Sequence, residues 1–107
     1  MRRVNEAVRE VLSDAVTTEM KDPRVGFVTV TDVKTSADLR HAKVYVSVFG
    51  TEAERADSMV GLRSAHGYLQ ARVGTQLRLK NTPQLDFIYD DTAERAESLE
   101  RVLEDAG

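Results

Sequence analysis

The sequence predicts an α+β domain, with helices packed on one face of a three-stranded sheet. Three observations predict it. Apolar residues near the N-terminus recur at helical spacing, a later run of valines alternates with polar residues at a period of two, and a glycine-interrupted helical stretch leads into one more short apolar strand. The 107 residues, 41% apolar and 31% charged, suit one domain with a single core. With no cysteine and two histidines, the chain carries neither a disulfide framework nor a thiolate metal site. No apolar run approaches the ~20 residues that span a bilayer. No apolar segment follows the initial Met-Arg-Arg, so a soluble cytoplasmic protein without membrane attachment is the expectation.

The first helix is read from Val4, Ala7, Val8, Val11, Leu12, Ala15 and Val16, which form one stripe, and it is expected to end before Asp22-Pro23 because proline restricts the residue before it. Phe27 to Thr31 is β-branched and aromatic and reads as a strand. Lys34 to Arg40 has the composition of a hairpin connection. From His41 to Phe49 the valines at 44, 46 and 48, with Ala42, alternate with polar or aromatic residues, giving an antiparallel partner whose valine face meets the helices. Gly50 closes that strand. Thr51 and Glu54 have capping-box spacing and open a helix. The helical pattern passes Met59 and Val60, resumes at Tyr68, Leu69 and Val73, and is expected to break at Ala65-His66-Gly67, since glycine costs about 1 kcal/mol against alanine inside a helix. A third strand, Leu85 to Tyr89, follows Thr82-Pro83. Asp91 with Glu94 repeats the capping spacing before a short acidic helix bearing Ala96, Leu99, Val102 and Leu103. Residues 1–90 form the expected domain and 91–107 an acidic helical tail.

Net charge is −3, but it is unevenly distributed. Residues 1–80 hold thirteen basic and ten acidic side chains, and residues 81–107 hold two and eight. No acidic residue occurs between Asp57 and Asp86, whereas Arg63, Arg72, Arg78 and Lys80 do. Because salt screens charges over about 8 Å, a local basic face can act on a polyanion in a molecule that is anionic overall.

The helical break is the first candidate for RNA contact. Gly67 permits close backbone approach, the second helix starts with the positive end of its dipole, and Arg63, Ala65, His66 and Arg72 surround it. The plainer alternative is a glycine that merely separates two helices. Arg78 and Lys80 alternate onto one side before the third strand, as phosphate contacts or as a solvated strand edge. Lys21 and Arg24 flank the Asp22-Pro23 turn and either grip phosphate or are solvated. Arg40, His41 and Lys43 form a basic cluster entering the second strand, where charge also protects strand edges. Tyr45 beside them could stack on a base, whereas Phe87 is expected in the core. Asp90-Asp91 reads as helix capping, and no nucleophile–base pair, phosphate loop or metal ligand set supports an enzyme.

Four blocks in order, Lys21-Asp22-Pro23-Arg24-Val25-Gly26-Phe27-Val28-Thr29-Val30-Thr31, Asp38 through Ser47, Ser64-Ala65-His66-Gly67-Tyr68-Leu69, and Leu77-Arg78-Leu79 with Thr82-Pro83-Gln84-Leu85, resemble the ribosome-binding factor A family. The resemblance runs from Arg3 to about Leu103. It implies a type II KH-like fold, α-β-β-α-α-β, in which an Ala-x-Gly kink replaces the GxxG loop; Ala65-His66-Gly67 fits, and no G-x-x-G occurs. With no catalytic or ligand set in the sequence, the chain is expected to act without catalysis or a cofactor, as a monomer. The resemblance further implies a protein that binds free or immature 30S ribosomal subunits and 16S rRNA, supports late maturation and 5′-end processing of that rRNA, is linked to growth in the cold, and is released with the help of a ribosome-associated GTPase. Many relatives carry a longer C-terminal tail than this chain. A protein-only adaptor that docks through the acidic last helix is the alternative.

Overall fold

A computed structural model describes residues 2–19, 26–78, 81–92 and 95–96. Helix α1, Arg2–Asp14, buries Val8 and Leu12. The chain then widens into a π-helical turn, Ala15–Glu19, rather than stopping. The wider turn keeps Ala15 and Val16 on the core side, at 0% and 7% exposure. The expected end of this helix at Asp22-Pro23 lies outside the described residues.

Strand β1 is longer than its sequence pattern suggests, Phe27–Thr35. It pairs antiparallel with β2, His41–Phe49, from Phe27 opposite Phe49 to Thr35 opposite Ala42. A bulge between Val30 and Asp32 inserts Thr31, so that Val30 and Val33 both face the core although they are three positions apart. That extra residue breaks the alternation beyond Thr31. Strand β3, Gln84–Tyr89, lies parallel to β2 on its other side, with His41 opposite Gln84 and Val46 opposite Tyr89. The sheet order is therefore β1-β2-β3, with β2 in the centre.

Ala42, Val44, Val46 and Val48 of β2 are buried, as the alternation predicts, and Leu85 and Phe87 of β3 join them. They meet Val8 and Leu12 of α1, Met59 and Leu62 of α2 and Leu69 and Val73 of α3 in one core. The expected two-layer arrangement of helices on one sheet face is what the chain adopts.

Helix α2, Glu52–Ser64, opens with the predicted capping box: Glu54 N–H donates to Thr51 Oγ1 at 3.2 Å and Thr51 N–H donates to Glu54 Oε1 at 3.1 Å. Gly50 before it has φ +140°, a conformation that other residues rarely adopt. Helix α3 spans His66–Leu77. The break between the two helices falls on Ala65, at φ −88° and ψ 7°, so Gly67 lies inside α3. α3 also runs on past Gly74. It passes so close to the segment before β3 that a Cβ at Gly74 would stand 2.6 Å from Thr82 Oγ1. The helix stops at Arg78, which adopts the left-handed conformation with φ 50°. Arg78 is thus a helix C-cap and not part of a strand alternation. Beyond β3, Thr92, Arg95 and Ala96 are helical, and the rest of the tail lies outside the described residues. Among the described residues, no helix is long and apolar enough to cross a membrane.

Candidate nucleic-acid interface

One side of β3 pairs with β2; among the described residues, the other has no neighbouring strand. Three side chains from α2 and α3 take the place of one. Arg63 Nη2 donates to Phe87 O at 3.4 Å, and His66 Nε2 donates to Leu85 O at 3.0 Å. Gln70 accepts from Leu85 N–H at 3.0 Å and donates to Pro83 O at 2.6 Å. Positions 63, 66 and 70 are three and four apart, so they share one side of the helical pair even across the Ala65 break. The break therefore lies along the β3 edge, and Arg63 and His66 are held against backbone carbonyls.

The other kink residues divide differently. Ala65 packs against the core. Arg72 is half-buried, and with the Gln76 amide turned to match, both of its terminal nitrogens donate to the Gln76 oxygen at 3.3 Å. Gly67 is exposed, and a Cβ built there would meet nothing within 4 Å. Nothing in the fold requires a glycine at that position, in contrast to Gly74.

A second group of candidates gathers at the end of the sheet where β1 finishes and β2 and β3 begin. Arg40 ends a five-residue loop tied by its own hydrogen bonds. Ser36 N–H donates to His41 O at 2.8 Å, Leu39 N–H to Ser36 O at 2.9 Å, and Arg40 N–H to the Asp38 carboxylate at 3.0 Å. Gln84 N–H donates to Arg40 O at 2.8 Å, which fastens the loop to β3. Hydrogen bonds from the Ser36 hydroxyl and Arg40 N–H hold the Asp38 carboxyl below its usual pKa. Lys43 faces the uncovered side of the sheet with His41, and the register sets Lys34 directly opposite it. Lys34 was not legible as a candidate, because the bulge that extends β1 to include it leaves no pattern in the sequence; its Nζ stands 5.6 Å from the centre of the Tyr45 ring. Arg78 belongs to the same end, since its N–H donates to Gly74 O and Gly74 lies against Thr82, just ahead of β3. Arg2 and Arg3 come from the start of α1, where Asn5 accepts from Thr35 N–H at 3.0 Å. Lys21, Arg24 and Lys80 lie outside the described residues.

Acidic side chains are more numerous at the opposite end, with Glu52, Glu54 and Asp57 on the first turns of α2, where Arg55 also stands, and Asp90 and Asp91 after β3. At the basic end, Asp38 lies in the Arg40 loop and Asp86 is the register partner of Lys43. Asp90 accepts from the Thr92 hydroxyl and N–H and from the Thr31 hydroxyl at 2.7 Å, which pushes its pKa down and fixes it as a cap. Asp91 directly precedes the helical turn and its carbonyl accepts from Arg95 N–H at 2.9 Å, so both members of the pair sit at the helix start. The expected Asp91–Glu94 capping contact involves Glu94, which lies outside the described residues. The thirty-ångström-scale length of a nine-residue strand, about 3.3 Å per residue, separates the two poles. Phe87 is buried at 3%, as expected, whereas Phe27 and Phe49 are the most exposed large apolar side chains among the described residues, at 82% and 83%. Among the described residues, no group of three or more His, Asp or Glu side chains could hold a metal ion.

The sequence profile of the family described as Ribosome-binding factor A matches residues 1–103. The chain is 45% identical over 102 residues to a ribosome-binding factor A from Halothermothrix orenii, covering 95% of this chain and 84% of that protein. It is 49% identical over 105 residues to one from Anaeromyxobacter sp. (strain K), covering 97% and 76%. The relative from Clavibacter michiganensis is longer: the match covers 98% of this chain but 63% of that protein, at 41% identity. Among solved structures, the crystal structure of ribosome-binding factor A from Thermus thermophilus superposes with a TM-score of 0.73 at 25% identity, over 82% of this chain and 93% of that one. A homology model of Thermus thermophilus ribosome-binding factor A, fitted into a cryo-EM map of its 30S complex, gives 0.68 at 26% identity, over 80% and 90%. The shared architecture is KH-like.

Proposed function

The chain belongs to the ribosome-binding factor A family, and from that membership we propose that it binds the small ribosomal subunit through phosphate contacts to 16S rRNA, without catalysis. The observation that carries the reading is the basic pole: Arg40 on a hydrogen-bonded loop, Lys34 and Lys43 side by side on the sheet, and Arg78 at the end of α3. A rigid set of separated cations fits the irregular spacing of phosphates on folded RNA, and shape and charge then supply affinity with little base reading. The exposed Gly67 at the start of α3 adds a place where an RNA backbone can come close to helix N–H groups. The relative fitted into a 30S complex supports this partner.

Residues 1–90 constitute the binding unit in this reading, and residues 91–107 an acidic appendage. The protein acts by differential affinity: it stabilises one arrangement of the immature subunit and leaves when that arrangement changes. Assistance to 5′-end processing, a role in cold growth, release by a ribosome-associated GTPase, a monomeric state and a cytoplasmic location are parts of the same proposal. The adaptor alternative depends on a last helix that is mostly outside the described residues.

Co-sedimentation with purified small subunits across a salt series tests it. Binding is expected to fall steeply with salt. A variant with Arg40→Glu, Lys43→Glu and Arg78→Glu together should leave the gradient's subunit peak while keeping wild-type circular dichroism. Retained binding by that folded variant would move the RNA contact away from the basic pole.

A further inference from the structure

The pole opposite the cations has a surface of its own. Phe27 and Phe49 are direct cross-strand partners at the outer end of β1 and β2, and both rings are more than 80% exposed. Beside them is a cavity of about 390 Å³ lined by Gly26, Phe27, Phe49, Gly50, Glu54, Asp57 and Ser58. Its size falls in the lower part of the range for ligand pockets, about 300–1,000 Å³. Among the described residues, the lining holds two aromatic rings and two carboxylates and no basic side chain. Hydrogen bonds from Thr51 keep the Glu54 carboxyl below its usual pKa, so it is charged at neutral pH.

We infer that this pole is a docking site for a cationic protein segment, taking an arginine or lysine side chain against the Phe27 and Phe49 rings with Glu54 and Asp57 as its counter-charges. The chemistry selects the occupant. Ring faces attract a guanidinium or ammonium group, and flanking carboxylates add to that attraction. A nucleic acid stacking its bases on the same rings would bring its phosphates against Glu52, Glu54 and Asp57. A purely apolar partner would leave Glu54 and Asp57 without compensation on burial. The site is independent of the RNA reading, lies at the other end of the sheet from the basic pole, and would let the protein hold a basic polypeptide and an RNA at once.

The test is a titration of the full-length ¹⁵N-labelled protein with a short arginine-glycine peptide, followed by amide chemical shifts, with a glutamine-glycine peptide and a uridine oligonucleotide as comparison probes. Shifts confined to residues 26–28, 48–51 and 54–58 with the arginine peptide alone are expected. The apparent affinity should weaken about fivefold in Phe49→Ala and again in Asp57→Asn, while the shifts elsewhere stay those of the native fold. Equal shifts with the glutamine peptide, scattered shifts or none, or larger shifts at Phe27 and Phe49 with the oligonucleotide would overturn the inference. So would concentration-dependent shifts without peptide, which mark a second copy of this chain as the occupant, or a gain of peptide affinity in Arg24→Gln, which marks the chain's own arginine.

Discussion

His66 Nε2 stands 3.0 Å from the carbonyl oxygen of Leu85, so a helix side chain closes a hydrogen bond that a fourth strand would otherwise make. Gln70 does the same for Leu85 N–H and Pro83 O. Removing either leaves a partly buried backbone group unmatched, a loss of about 1–3 kcal/mol. His66→Ala and Gln70→Ala should each lower the melting temperature by about 5 °C or more, read by circular dichroism. A shift within about 1 °C would mean that water satisfies the edge equally well.

Arg78 separates stability from binding. Its backbone sits in the left-handed region, which costs a side-chain-bearing residue about 1–2 kcal/mol relative to its preferred conformations. Arg78→Gly should therefore raise stability by about 1 kcal/mol in urea unfolding. The same change should weaken subunit binding and reduce the slope of log K against log salt by about 1. A stabilised protein with an unchanged slope would remove Arg78 from the interface.

The two glycines of α3 should respond with opposite signs. Gly67→Ala adds a methyl group in open space and helix propensity worth up to about 1 kcal/mol, so the fold gains, while subunit binding falls as the methyl obstructs the approaching RNA. Gly74→Ala drives a Cβ to 2.6 Å from Thr82 Oγ1 and should cost about 1–3 kcal/mol, partly recovered by Thr82→Ala. Melting curves give both signs, and co-sedimentation gives the binding arm.

Acid should destabilise the fold through Asp38, Glu54 and Asp90. All three are held below their ordinary values, 3.8 for aspartate and 4.5 for glutamate, by hydrogen bonds they accept in the native state. A lowered folded-state pKa means that the stabilisation is complete above the unfolded value and is lost as pH falls through the folded one. Melting temperature is expected to be insensitive to these groups at neutral pH and to decline below about pH 4.5. Asp90→Asn should flatten part of that decline; an unaltered acid profile would exclude Asp90 as a contributor.

What could be read in the sequence was local. The valines of β2 announce their face, and Thr51 with Glu54 announces the start of α2, because both signals lie within a few residues. The helical break is legible too, within the expected Ala65-His66-Gly67 segment, though not which of the three residues makes it. Glycine suggests a breaker, yet Ala65 carries the turn and Gly67 is helical. The bulge at Thr31 conceals the second half of β1 and with it Lys34. The parallel pairing of β3 and the holding of Arg63 and His66 against its edge depend on how far α2 and α3 stand from the sheet, which no spacing along the chain encodes. The candidate cations were accordingly a mixture. Arg40, Lys43 and Arg78 are displayed outward, whereas Arg63 and Arg72 already have partners within the protein.

Among the described residues, the uneven distribution of charge along the sheet gives the folded unit an electric asymmetry, more cationic where β2 begins and more anionic where it ends. In the field of a polyanion such an asymmetry produces a torque before any contact is made, favouring approach by the more cationic end. Substitutions at Glu52 or Asp91, which stand at the far end of the sheet from Arg40, Lys43 and Arg78, should then change the speed of encounter more than the lifetime of the complex.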